Sequence, residues 1–283
     1  MEKCLRGVVV LKKAFNRWML PENYDLINGC REAKKAGFDG LEINVTLDGA
    51  EISLTKSHQE LQDLAGQIKE TSLEIASVLP VGVFPNIAFD SSNATIDLVI
   101  KRLEGLLDIC DIFETDTILV VPGSINDNEA RYDQAFWNAV KVLKEMALIA
   151  EEREVVLAVE NVWNKFLVSP FDMVKFIDEI GSIYVKSYFD VGNILSYGWP
   201  DHWIEILGDR IYRVHIKDWK NSVGNIQGFC NLLEGDVSWP KVIDSLKKIG
   251  YHGWITAELP AYRYYPEVVL YQTALAMDKI INA

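Results

Sequence analysis

Basic residues are in short supply in this chain: 28 Lys and Arg face 41 Asp and Glu, a formal net charge of −13. Nucleic-acid binding draws its affinity from a basic face that releases counterions from phosphates, so this balance argues against a general nucleic-acid binder. Cysteine is sparse and unpaired. Cys4, Cys30, Cys110 and Cys230 are scattered with no CxxC spacing, which speaks against a zinc ribbon or a disulfide scaffold and fits a reduced, cytoplasmic protein. No apolar run is long enough to span a bilayer, and mean hydropathy is near zero at +0.05, so no membrane partner is expected. The apolar stretch near the N-terminus is too short for a signal-peptide core and lacks a small-residue cleavage site after it, so it reads as a first strand. Linkers, low-complexity segments, a GxGxxG fingerprint and a Gly-rich phosphate loop are all missing.

What the chain does contain is alternation. Short, mostly apolar β-branched runs recur at residues 8–11, 40–45, 74–79, 117–121, 155–160, 184–190, 211–216 and 254–258. Apolar on both faces, they suit buried parallel strands. Longer amphipathic stretches separate them, at 23–36, 58–69, 96–113, 128–152, 170–180, 200–207, 240–249 and 266–281. Pro170 and Pro240 fall at first helical turns, and Gly37, Gly181 and Gly250 sit where helices should stop. Eight strand–helix units in strict order predict a parallel barrel. With 283 residues, 49% of them hydrophobic, the chain is sized for one (β/α)8 TIM barrel, which typically takes about 250 residues. We therefore expect one catalytic domain over residues 1–283.

Active sites of this barrel lie at the C-terminal ends of the strands, and the last four apolar runs each end in a candidate ligand. They close on Glu160, Asp190, His215 and Glu258. Any one such residue suits a structural salt bridge, but a carboxylate behind several apolar residues is costly to bury without a cation. Four such residues on consecutive strands, three of them acids with few basic neighbours, are hard to neutralise without a metal. Oxygen donors with one imidazole suit Mn2+ best, with Mg2+, Co2+ or Zn2+ as alternatives to it, rather than a closed zinc site.

These residues resemble the xylose-isomerase-like superfamily of sugar and sugar-phosphate isomerases and epimerases. The likeness spans the chain and is strongest over residues 158–260. It runs through Val-Glu-Asn-Val-Trp-Asn-Lys-Phe, Tyr-Phe-Asp-Val-Gly-Asn, Val-His-Ile-Lys-Asp-Trp, Glu-Gly-Asp-Val-Ser-Trp and Thr-Ala-Glu. The ketose 3-epimerase, L-ribulose-5-phosphate 3-epimerase and hexulose-6-phosphate isomerase groups are nearest. The resemblance implies that Glu160 and Glu258 bind the metal and also move the proton, with Asp190 and His215 completing the site. Physically, a ketose bound to a divalent cation has an acidified C–H beside its carbonyl. One carboxylate removes that proton to give an enediolate, and the other returns it. Return to the opposite face is epimerisation; return to the next carbon is isomerisation.

Two positions depart from the pattern of free-ketose epimerases. Asn193 stands where a His is usual, and Leu167 follows Asn164-Lys165-Phe166 where another Glu is expected. Both favour a phosphorylated ketose over a free one. Asn193, Lys217 and Lys165 are the candidate substrate-binding residues, and Lys220 and Arg17 also lie where a phosphate could be held. Lys217 is equally suited to a structural ion pair with Asp218 or Glu234. Trp163, Trp219 and the Phe229 region either wall the cavity or pack the upper barrel. His58, His202 and His252 read as structural. The expected partner is a small sugar or sugar phosphate, and a homo-oligomer is compatible with the sequence. Three other activities share this fold: a metal-dependent lyase that dehydrates a cyclic polyol, a phosphodiesterase resembling apurinic endonucleases, and sugar binding without catalysis. The second needs several metals held by many His residues, and this chain has four His in all.

Overall fold

A computed structural model describes residues 11–125 and 130–282. Eight parallel strands close on themselves: β1 (Lys12–Asn16), β2 (Gly40–Val45), β3 (Glu74–Pro80), β4 (Thr117–Val120), β5 (Val156–Glu160), β6 (Val185–Asp190), β7 (Ile211–Ile216) and β10 (Trp254–Ala257). Eight helices alternate with them: α1 (Leu26–Ala36), α2 (His58–Glu70), α3 (Asn93–Ile112), α4 (Tyr132–Glu152), α5 (Pro170–Ile180), α6 (Pro200–Leu207), α7 (Trp239–Lys248) and α8 (Glu267–Ile281). This is a single (β/α)8 barrel. Between β7 and α7 a short antiparallel pair, β8 (Asp218–Trp219) with β9 (Phe229–Cys230), stands beside the barrel mouth. Among the described residues no helix is long and apolar enough to cross a membrane.

Among the described residues the first strand begins at Lys12. The run at 8–11 leaves residues 8–10 outside the described residues, and the strand that joins the barrel is Lys12–Asn16, pairing with both β2 and β10. The end of this strand delivers Asn16 and Arg17 to the rim. Elsewhere several helices start at a side-chain cap. Ser169 accepts from the Asp172 amide ahead of Pro170, and Ser57 and Glu60 form a reciprocal capping box.

Packing has two layers. The helices bury one face each against the outside of the sheet, while Leu79, Leu119, Val156, Ala158 and Tyr188 fill the barrel centre. Above this plug the interior turns polar: Asn16, Glu42, Ser77, Asp190, His215 and Thr256 are all buried.

Asp218 anchors the loop beside that polar layer. Its carboxylate accepts from the amides of Trp219, Leu233 and Val237 and from Trp239 Nε1, at 2.9–3.1 Å. Gly235 packs so closely on it that a Cβ would lie 2.2 Å from Asp218 Oδ1. Asp218 is therefore a backbone anchor and not the partner of Lys217. Removing it strands several buried N–H donors, so Asp218→Ala should lose about 3 kcal/mol or more of stability. Urea denaturation checks this, and a loss below about 1 kcal/mol would contradict the anchoring role.

Candidate active site

Period-2 geometry at the C-terminal strand ends brings Glu160, Asp190, His215 and Glu258 together. One ligand atom from each lies within 4.8 Å of all the others. Register explains why. Asp190 on β6 pairs directly with His215 on β7, and the Glu258 amide extends the β10 ladder by donating to Ile216 O at 3.1 Å. Asn161, next to Glu160, clamps the end of β6: its Oδ1 accepts from the Asp190 amide at 2.9 Å and its Nδ2 donates to Asp190 O at 2.8 Å.

His215 is the centre of the cluster and is fully buried. Its Nδ1 lies 3.1 Å from Glu160 Oε1, 3.9 Å from Asp190 Oδ2 and 3.8 Å from Glu258 Oε2. Its Nε2 meets Glu42 Oε1 at 2.8 Å. Lys217 Nζ is paired with Glu258 and lies 2.9 Å from Asp190 Oδ2. That oxygen is buried and accepts no well-aligned hydrogen bond.

The charges are strongly coupled. Burial lifts the Glu160 carboxyl to about 7 against the downward pull of His215, and the Glu258 charge adds to the rise. Burial raises Asp190 too, in spite of Lys217. For Glu258 burial acts upward but is outweighed by Lys217 and His215, so its carboxyl lies below the ordinary range. Burial would lower His215, yet Glu42 and Glu160 hold it well above the usual imidazole value. Three carboxylates and one imidazole nitrogen converging on one point could hold a hard or borderline divalent cation.

A cavity of about 360 Å3 opens over the cluster. Of the four cluster residues, Glu160 and Glu258 line it. Its walls come largely from the loops after β3 and β4, with Leu79, Val81, Phe84, Leu119 and Val121 as apolar faces and Trp18 at the rim. Asn86 ties the two loops together by donating to Ser124 O at 3.0 Å. Among the described residues that line the cavity there is no Lys, Arg or His. Larger clefts of about 490 Å3 exist, but the one around Arg213 and Asp116 contains none of the four cluster residues and is braced by that ion pair.

The remaining candidates are distributed differently. Asn193 is buried at the site, where its amide donates to Asp190 Oδ1 at 2.7 Å and its Nδ2 to Asn161 O at 3.0 Å. Lys165 is exposed and lines a separate groove with Trp163, Val168 and Tyr197. Leu167 is buried in the hydrophobic core. Arg17 is committed to Glu51 and to the carbonyls of Leu20, Pro21, Glu22 and Tyr24. Lys220 lies 4.0 Å from Glu234. Trp163, Trp219 and Phe229 pack edge to face on one another beside the mouth. Sequence reasoning missed Glu42, Asn161 and Asp218 as site-building residues. The signal for Glu42 was present: an acid inside the apolar run Gly40–Val45.

The closed (β/α)8 barrel thus carries, at the C-terminal rim where such barrels place their active sites, a carboxylate–imidazole cluster that could hold a metal ion. Residues 30–279 match the family model described as the xylose isomerase-like TIM barrel, and the chain belongs to that family. An uncharacterized protein of Methanocaldococcus jannaschii is 26% identical over 58% of this chain, an alignment that spans only 56% of that protein. The D-psicose 3-epimerase of Enterocloster bolteae is 26% identical over 77% of this chain and 71% of its own length. Among solved structures, the IolI protein with a binding zinc atom superposes with a TM-score of 0.80, at 19% identity, over 96% of this chain and 98% of that one.

Proposed function

We propose that this protein is a divalent-metal-dependent ketose 3-epimerase in which Glu160 and Glu258 exchange a proton with C3. One observation carries the reading: the two glutamates of the cluster both line the cavity, within ligand distance of each other and of Asp190 and His215. Glu160, Asp190, His215 and Glu258 would hold the metal, which when bound polarises a ketose carbonyl and acidifies the neighbouring C–H. Glu258 or Glu160 then takes the C3 proton on its own side, and the partner glutamate delivers one on the other. Kinship with a D-psicose 3-epimerase supports epimerisation ahead of isomerisation.

The cavity also bears on the substrate. A phosphate needs a cation or a nest of amides; of the lysines that suggested one, Lys165 faces another groove and Lys217 is engaged by Glu258 and Asp190 within the cluster. An uncharged pentulose or hexulose fits this lining better than its phosphate ester. Assayed as a panel with Mn2+, free ketoses should give the higher kcat/KM. A phosphorylated ketose turned over faster than every free one would reverse this assignment.

A further inference from the structure

The geometry points to Glu42 as the positioning residue that fixes which nitrogen of His215 is presented to a metal. The inference rests on the metal-site reading above, but concerns a residue outside the ligand cluster.

An imidazole has two nitrogens on opposite sides of the ring, and either can ligate. Which one does is set by what holds the other. Here the two are sorted by neighbours. Nε2 meets Glu42 Oε1 at 2.8 Å, whereas Nδ1 faces Glu160, Asp190 and Glu258 at 3.1–3.9 Å. Glu42 is itself immobilised. Its Oε1 also accepts from Asn16 Nδ2 at 2.6 Å, and its Oε2 from Ser77 Oγ at 2.7 Å and Tyr188 OH at 2.8 Å. These donors come from β1, β3 and β6, so the carboxylate is fixed from several sides of the barrel before it touches the ring. The Tyr188 ring packs on the imidazole with centroids 4.2 Å apart, restricting rotation. The β2–β3 pairing shifts register between Leu41 and Glu42, so that Glu42 stands opposite Ser77.

The bland alternative is a buried ion pair that merely plugs the barrel. The two differ in whether the effect of Glu42 on metal binding passes through His215. Outer-shell partners of metal-binding histidines typically contribute 10–100-fold in affinity. Glu42→Gln preserves size and an acceptor for Nε2–H but removes the charge. Zn2+ affinity should be measured calorimetrically for the wild type, Glu42→Gln, His215→Ala and the double variant. The expected result is a loss of about 10–100-fold in Glu42→Gln, and no further loss when the same change is made on His215→Ala. Wild-type affinity in Glu42→Gln, or an equal fold-loss in both backgrounds, would overturn the assignment. Zn2+ failing to bind even the wild type would overturn the metal reading along with it, which separates the two failures. Should Glu42→Gln not fold, 15N NMR of Zn2+-loaded wild type decides: the ring proton is expected on Nε2 with Nδ1 bearing the metal, and the reverse arrangement refutes the proposal.

Discussion

Glu160→Gln and Glu258→Gln are each expected to lose turnover by about 10^2 to 10^4-fold, the usual range for a general acid or base. The amide keeps the size and one oxygen of the side chain but cannot accept the proton. Because each glutamate is also a candidate ligand, the loss can exceed that range by weakening carbonyl polarisation. Metal content must therefore be measured alongside activity. Asymmetry between the variants would be informative: one that still exchanges the C3 proton with D2O without forming product retains the abstracting glutamate and lacks the returning one. Near-normal turnover in Glu258→Gln with metal bound would defeat the two-base mechanism.

The second large effect concerns the only imidazole of the cluster. His215→Ala should weaken divalent-metal binding by more than about 100-fold, beyond the range typical of outer-shell partners. Chelation of the wild type should abolish activity and added Mn2+ restore it. The variant also leaves Glu42 buried without its nearest cationic partner, so a loss of stability is expected with it, since removing one member of a buried pair typically costs about 3–5 kcal/mol. Full metal occupancy in folded His215→Ala would remove His215 from the site.

Much of the architecture was legible because parallel barrels write each strand as a short doubly buried run and each helix as an amphipathic one. Strand Gly40–Val45 and helices Pro170–Ile180 and Pro200–Leu207 fall at the expected bounds, the helices being punctuated by Pro at the start and Gly at the end. Of the run expected at 8–11, residues 8–10 lie outside the described residues, and the described strand is Lys12–Asn16. In the barrel, Lys12 reaches Glu74 and Lys13 reaches Asp278, contacts across 62 and 265 residues that no local pattern reports.

The cluster itself was readable from strand-end chemistry, one acid or imidazole per strand. Its support was not. Glu42 lies mid-strand and so escaped a search of strand ends; its role emerges only when β2 and β7, 173 residues apart, face each other across the barrel. Lys165 was a candidate by its loop position alone. A basic residue in a strand-to-helix loop looks available for phosphate, yet its left-handed backbone (φ 62°) and exposure place it on the neighbouring groove. Asp218 was weighed as an ion-pair partner, whereas four N–H donors claim its carboxylate.

A cyclic-polyol lyase would need the same four residues and the same proton abstraction, so ligand mutagenesis alone does not separate it from an epimerase. The fate of the proton does. The most direct measurement is incubation of free ketoses with the metal-loaded enzyme in D2O, quenched with chelator and followed by NMR. The account predicts deuterium at C3 in both substrate and its C3 epimer, dependent on metal and on both glutamates. Deuterium at C1 with aldose formation, loss of water from a polyol, or no exchange at any carbon by a fully metallated protein would contradict it.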